Sequence, residues 1–96
     1  MLCLFKVKGN SMLPTLQGGD FVIATRFFWR VKTGDLLVID HASYGRIIKR
    51  VTHVSPSQGI SVAGDNPASV SSEQIGQIDK HQVRGKVRFS ITQAKT

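Results

Sequence analysis

The sequence predicts a small, mainly β domain, and three observations carry that prediction. Short runs rich in Val, Ile, Leu and Phe recur along the chain. Clusters of Gly, Pro, Asp and Asn break those runs roughly every 8 to 12 residues, the spacing of strands joined by tight turns. No segment shows a helical period beyond a single turn at 12–16. At 96 residues the chain suits one domain, read as 1–96. A domain this small has little core to spare, so a buried charge within it needs a reason.

In chain order, LCLFKV (2–7) reads as a first strand and FVIATRFFW (21–29) as a second, running into an aromatic cluster. KTGD (32–35) turns into LLVIDH (36–41), a third and buried strand. HASYG (41–45) turns into RIIKRVTHV (46–54), and SPSQG (55–59) into ISVA (60–63). GDNP (64–67) is a tight turn, followed by a polar stretch and then VRGKVRFSI (83–91). In that last strand Val83, Gly85, Val87, Phe89 and Ile91 should share one face, with Arg84, Lys86, Arg88 and Ser90 along a solvated opposite face.

The formal net charge is +7. Such a balance suits an acidic protein, an anionic membrane surface or nucleic acid without choosing among them. RFFWR (26–30) can be read as core packing, as contact with a lipid interface or as a protein-docking patch. Nothing orders its aromatics as a stacking platform, which argues against nucleic acid. No run approaches the roughly 18 apolar residues of a membrane span, and the N-terminus lacks the pattern of a signal peptide. A cytoplasmic location is the expectation, with peripheral membrane contact left open. Cys3 is the only cysteine and reads as a small apolar residue. His41 and His81 lack partners at metal-ligand spacing, so neither metal nor cofactor is expected.

GNSMLPTLQGGD (9–20) is an unusual loop. Gly9 permits rare backbone angles and Pro14 restricts Leu13, so Ser11 stands on a stiff turn. By itself this also fits an ordinary surface loop. Lys49 supplies a candidate partner. Read as a strand, RIIKRVTHV puts Ile47, Lys49, Val51 and His53 on one face, bracketing the lysine with apolar neighbours. Desolvation lowers an amine's pKa, and a neutral lysine can take the proton of a serine hydroxyl. A lysine in isolation could equally snorkel to the surface. His53 lies four residues from Lys49, about 13 Å at strand rise, too far to serve the same hydroxyl. Asp20, Asp35 and Asp65 each follow a glycine in a turn, a common local use of aspartate.

GNSMLPTLQGGDFVIA resembles the nucleophile box of signal peptidase I and the LexA-type proteases. TGDLLVID is similar to their second box, GRIIKRV to the box holding the general-base lysine, and VAGDNPASVSSEQIG to the glycine-aspartate-asparagine box of the signal peptidase branch. The boxes stand in family order over about residues 5–88. The resemblance implies a domain of coiled antiparallel sheets and a serine endopeptidase. In it Ser11 is the nucleophile, Lys49 the general base, and the Ser11 backbone N–H part of the oxyanion hole. Ser69, with Gly64, Asp65 and Asn66, would orient the lysine. Gly9, Met12, Leu16 and Ile48 would contact a substrate bound as an extended strand.

Two positions depart from that pattern: Ser71 stands where the family has aspartate and Glu73 where it has arginine, so the usual supporting ion pair is missing. Gly9 replaces a hydroxyl-bearing oxyanion residue of some members. Ten residues before Ser11 leave no room for a self-cleavage arm, so the expected substrate is another protein. The short members that trim nickel-type superoxide dismutase precursors are the nearest resemblance, making a metalloenzyme precursor the expected substrate. The rival is a catalytically silent module that binds an acidic protein, membrane or nucleic acid through its basic face.

Overall fold

The computed structural model describes residues 2–26 and 30–92. Phe27, Phe28 and Trp29 fall outside the described residues, and the reading of RFFWR falls there with them. Six strands form one antiparallel sheet: β1 (Leu2–Lys6), β2 (Phe21–Thr25), β3 (Leu36–His41), β4 (Gly45–Ser55), β5 (Gly59–Ala63) and β6 (Val83–Ile91), in the spatial order β1-β2-β6-β3-β4-β5. The protein is mainly β, as its sequence indicates. No helix among the described residues is long and apolar enough to cross a membrane.

Apolar side chains gather on both faces of the sheet. On one face Val7, Val22, Ala24, Val38 and Ile48 are covered by Met12 and Leu16 of the 9–20 loop. The loop holds that position through one helical turn, in which the Leu16 N–H donates to the Met12 carbonyl at 2.9 Å. On the other face Leu37, Ile39, Val51, Ile60 and Val62 are covered by Ile75 and Ile78. Ile75 belongs to a short helix, α1 (Ser72–Ile75), which the sequence reading left as a polar stretch. Ser71 caps it, and the Gln74 side chain answers the Ser71 backbone in a capping box. The serine that departs from the family pattern is therefore in use as a helix cap.

His41 ties the β3–β4 turn to this helix. Its Nδ1 accepts from the Ser43 and Tyr44 N–H groups, and its Nε2 lies 2.8 Å from the Ile75 carbonyl oxygen. With Nδ1 an acceptor, Nε2 is the donor.

The last strand corrects the alternation expected of it. Ile23 faces Phe89 but Ala24 faces Val87, and Val38 faces Gly85 but Ile39 faces Val83. Each step skips a residue of β6, so two bulges reverse which way its side chains point. Val87 packs inward, whereas Phe89 and Ile91 stand exposed. Lys86 is not solvated: its side chain is 14% exposed and its amine lies 3.2 Å from an Asp35 carboxylate oxygen. A third bulge, between Val51 and His53, turns His53 off the face of Lys49 and leaves it exposed.

Candidate active site

Lys49 sits opposite Leu37 of β3 and is 4% exposed. Ile47 and Val51, its neighbours on the same face, belong to the core on that side. Burial pushes its amine below the usual lysine range. Among the described residues no carboxylate pairs with it, although four other basic side chains have acid partners.

Its other flank explains how a distant loop reaches it. Arg50 pairs with Ala63, so continuing the register by one step brings Gly64 opposite Lys49. Directly opposed residues project to the same face, and glycine leaves that place empty. A Cβ built on Gly64 would stand 2.5 Å from the Ser11 carbonyl oxygen and 2.5 Å from the Ser69 Oγ. The place that a side chain at position 64 would fill is thus taken by the Ser11 carbonyl and the Ser69 hydroxyl. Only glycine permits so close an approach.

Asn66 fixes the serine loop from the same turn. Its backbone N–H donates to the Ser11 carbonyl at 2.9 Å, and its side-chain amide donates to the Asn10 carbonyl at 2.8 Å. Gly9 enters the loop at φ +74°, a left-handed conformation suited to glycine. The Ser11 N–H makes no backbone hydrogen bond among the described residues. Among them, too, no hydrogen bond joins the Ser11 hydroxyl to the Lys49 amine. Catalytic contacts of unliganded enzymes are often long and tighten when substrate binds.

A network absent from the sequence reading holds these parts together. The Arg50 guanidinium meets the Asp65 carboxylate through two parallel bonds of 2.8 Å and donates to the Gly34 carbonyl at 2.9 Å. Thr15 of the serine loop donates to the same carboxylate. The hydrogen bond from Arg50 holds the Asp65 carboxyl below its usual range, with Thr15 adding to the effect and partial burial opposing it. Asp65 is thus more than a turn residue. Asp20 and Asp35 do accept local N–H groups, from Gln17 and Lys32. An ion pair does support the site, but it joins Arg50 to Asp65 rather than the positions now held by Ser71 and Glu73.

Beside Ser11 lies a cleft of about 330 Å³. Met12 and Ile48 line it, together with Phe5, Val7 and Val38. Leu16 does not: it is 1% exposed and packs in the core, because its helical turn carries it beneath Met12. Gly9 is not part of the lining either; it packs against Gly18, whose Cβ position lies 3.1 Å from the Gly9 carbonyl oxygen. The cleft joins β1 to β4, which have three strands between them in the sheet, so the sheet curls to bring them together. Arg46 spans the gap, its guanidinium 5.1 Å from the centre of the Phe5 ring.

The family model described as Peptidase S24-like matches residues 1–88. No curated protein matches the chain.

Proposed function

Because this chain belongs to the Peptidase S24-like family, we propose that it is a serine endopeptidase working through Ser11 and Lys49. The observation that carries the proposal is the buried lysine without a carboxylate partner, beside the gap at Gly64 into which Ser11 and Ser69 fit. Removing an ammonium from water costs several kcal/mol unless it is paired or deprotonates. A neutral amine avoids that cost and is also what a general base requires.

The chemistry follows from this arrangement. The neutral Lys49 amine takes the Ser11 hydroxyl proton as Oγ attacks the scissile carbonyl. The oxyanion gains a hydrogen bond from the Ser11 N–H. Lys49, now an ammonium, returns the proton to the leaving amine. It then takes a proton from the water that attacks the acyl group and gives that proton to the departing Ser11 Oγ, restoring the neutral amine and the hydroxyl. Ser69 orients the amine, and Gly64, Asp65 and Asn66 hold the serine loop.

The substrate binds as an extended strand. Among the described residues β1 pairs only with β2, and β4 pairs with β5 only from Arg50 onward, so both walls of the cleft present open backbone edges. The cleavage acts in trans, removing a leader or pro-segment from another protein. The Gly64-Asp65-Asn66-Pro67 turn favours the short signal-peptidase-like branch, with a metalloenzyme precursor as substrate in the cytoplasm.

Comparing protein N-termini in cells with the wild-type chain, with Ser11→Ala and with Lys49→Ala tests the proposal. One or a few N-termini should depend on both residues. N-termini identical in all three would favour the silent binding module, whose partner would then be lost at high salt but unaffected by either change.

A further inference from the structure

The cleft is apolar at its floor and basic at its rim: Lys6, Lys8 and Arg46 line it, and no acidic side chain does. Arg46 already pairs with Asp40 at 3.1 Å. Lys6 and Lys8 are exposed and have no carboxylate partner among the described residues.

Hydrogen bonding along β1 determines what those lysines would meet. The Val7 N–H donates to the Asp20 carbonyl at 2.7 Å, and the Val7 carbonyl accepts from Gly19 at 2.9 Å. Val7 therefore spends both backbone groups on the β2 side. In an antiparallel ladder that direction alternates, so the backbone groups of Leu4, Lys6 and Lys8 point to the open edge. A strand added there pairs with those residues. Its side chains opposite them share their outer face, while the intervening ones enter the cleft between Phe5, Val7, Met12 and Ile48.

Resting on the peptidase reading, we propose that the substrate segment is an acidic peptide of alternating pattern. Apolar residues at every second position fill the cleft, and Asp or Glu at the positions between them pair across the edge with Lys6 and Lys8. Opposite charges facing each other across strands contribute modestly per pair, and two such pairs amount to roughly three- to tenfold in affinity at low salt.

Two peptides of the same composition test this on the inactive Ser11→Ala protein, read by fluorescence anisotropy. Both hold two Asp among Ala and Val, at positions i and i+2 in one and i and i+1 in the other. The first should bind roughly three- to tenfold more tightly. Lys6→Gln/Lys8→Gln should erase the difference, and Lys6→Glu/Lys8→Glu should transfer the preference to the matching lysine peptide, both variants keeping the parent's melting temperature. Equal binding of the two acidic peptides overturns the proposal. So does a lysine pair that is needed only for sedimentation with anionic phospholipid vesicles, which would assign the rim to a lipid surface. Wild-type protein on a proteome-derived peptide library separates the two readings. Cleavage with no alternating acid preference sinks this inference alone; pattern-dependent binding with no cleavage of any peptide sinks the peptidase and leaves the binding rule.

Discussion

Two lysines flank Leu37 at the centre of the sheet, Lys49 on β4 and Lys86 on β6, and the protein treats them in opposite ways. Lys86 is given an acid: Asp35 lies 3.2 Å away, and the pair is largely shielded, with side chains 14% and 10% exposed. Lys49 is more deeply buried and is given none. A fold that needs a charge at this depth satisfies it, as β6 shows. On the proposed mechanism the second amine goes without an acid because it acts when neutral. On that proposal the comparison separates a structural lysine from a chemical one on either side of the same residue.

Exchanging each lysine for methionine should break the comparison most sharply. Lys49→Met is expected to lower cleavage by roughly a thousandfold or more. It should also stabilise the fold by about 1 kcal/mol, about 4–8 °C in melting temperature, because an unpaired buried amine is gone. Lys86→Met should do the reverse. Asp35 would be left with only the Lys32 N–H, at a cost of about 3 kcal/mol in urea denaturation, while cleavage per folded molecule is kept. If both variants lose stability and keep activity, the two lysines are alike and the distinction fails.

Filling the gap at Gly64 tests the contact between the serine loop and β4. Gly64→Ala puts a methyl group 2.5 Å from two oxygen atoms, one of Ser11 and one of Ser69. A tenfold to hundredfold loss of kcat is expected, since roughly 1 Å of displacement suffices for that. Destabilisation of about 1–3 kcal/mol should accompany it.

A smaller effect belongs to the brace. Asp65→Asn should cost about 1–2 kcal/mol, between an exposed and a buried ion pair, because the Arg50 side chain is 35% exposed. Its pH signature has a definite sign. The Asp65 carboxyl is held down in the folded state, so its contribution is complete above the ordinary carboxylate range and fades as pH falls through the lowered native value. That acid-limb dependence should be missing in Asp65→Asn, as chemical denaturation across pH would show. Lys49 has the same sign in a higher pH window. The unfolded chain holds its proton more tightly, so stability rises with pH between the lowered native value and the ordinary one.

Much of this was legible in the sequence, and what was not has physical reasons. Strands β3, β4 and β5 fall within a residue of where their apolar runs and turn residues place them, because Gly34, Gly45 and Gly59 each adopt positive φ at the joints. Lys49 was legible through its apolar bracket at two-residue spacing. The three bulges were not, since a residue such as Thr52 carries no local mark of being skipped; the pairing partner decides it. That is how Phe89 and His53 came to be set on the wrong faces. The Arg50–Asp65 pair spans 15 residues and arises only once the β4–β5 hairpin has folded. Helix α1 could have been read, because Ser71 and Gln74 stand at capping-box spacing. Substrate contact at Leu16 came from the resemblance, and the packing of this chain places that side chain in the core instead.

The most direct measurement is the protonation of the Lys49 amine itself, followed by NMR of its side-chain Cε against pH, with Lys49→Met assigning the signal and Lys86 as the internal comparison. A Lys49 that serves as general base has a midpoint clearly below the ordinary lysine value. A midpoint at or above that value would mean that the amine stays charged at working pH, and that Ser11 has no base in this position.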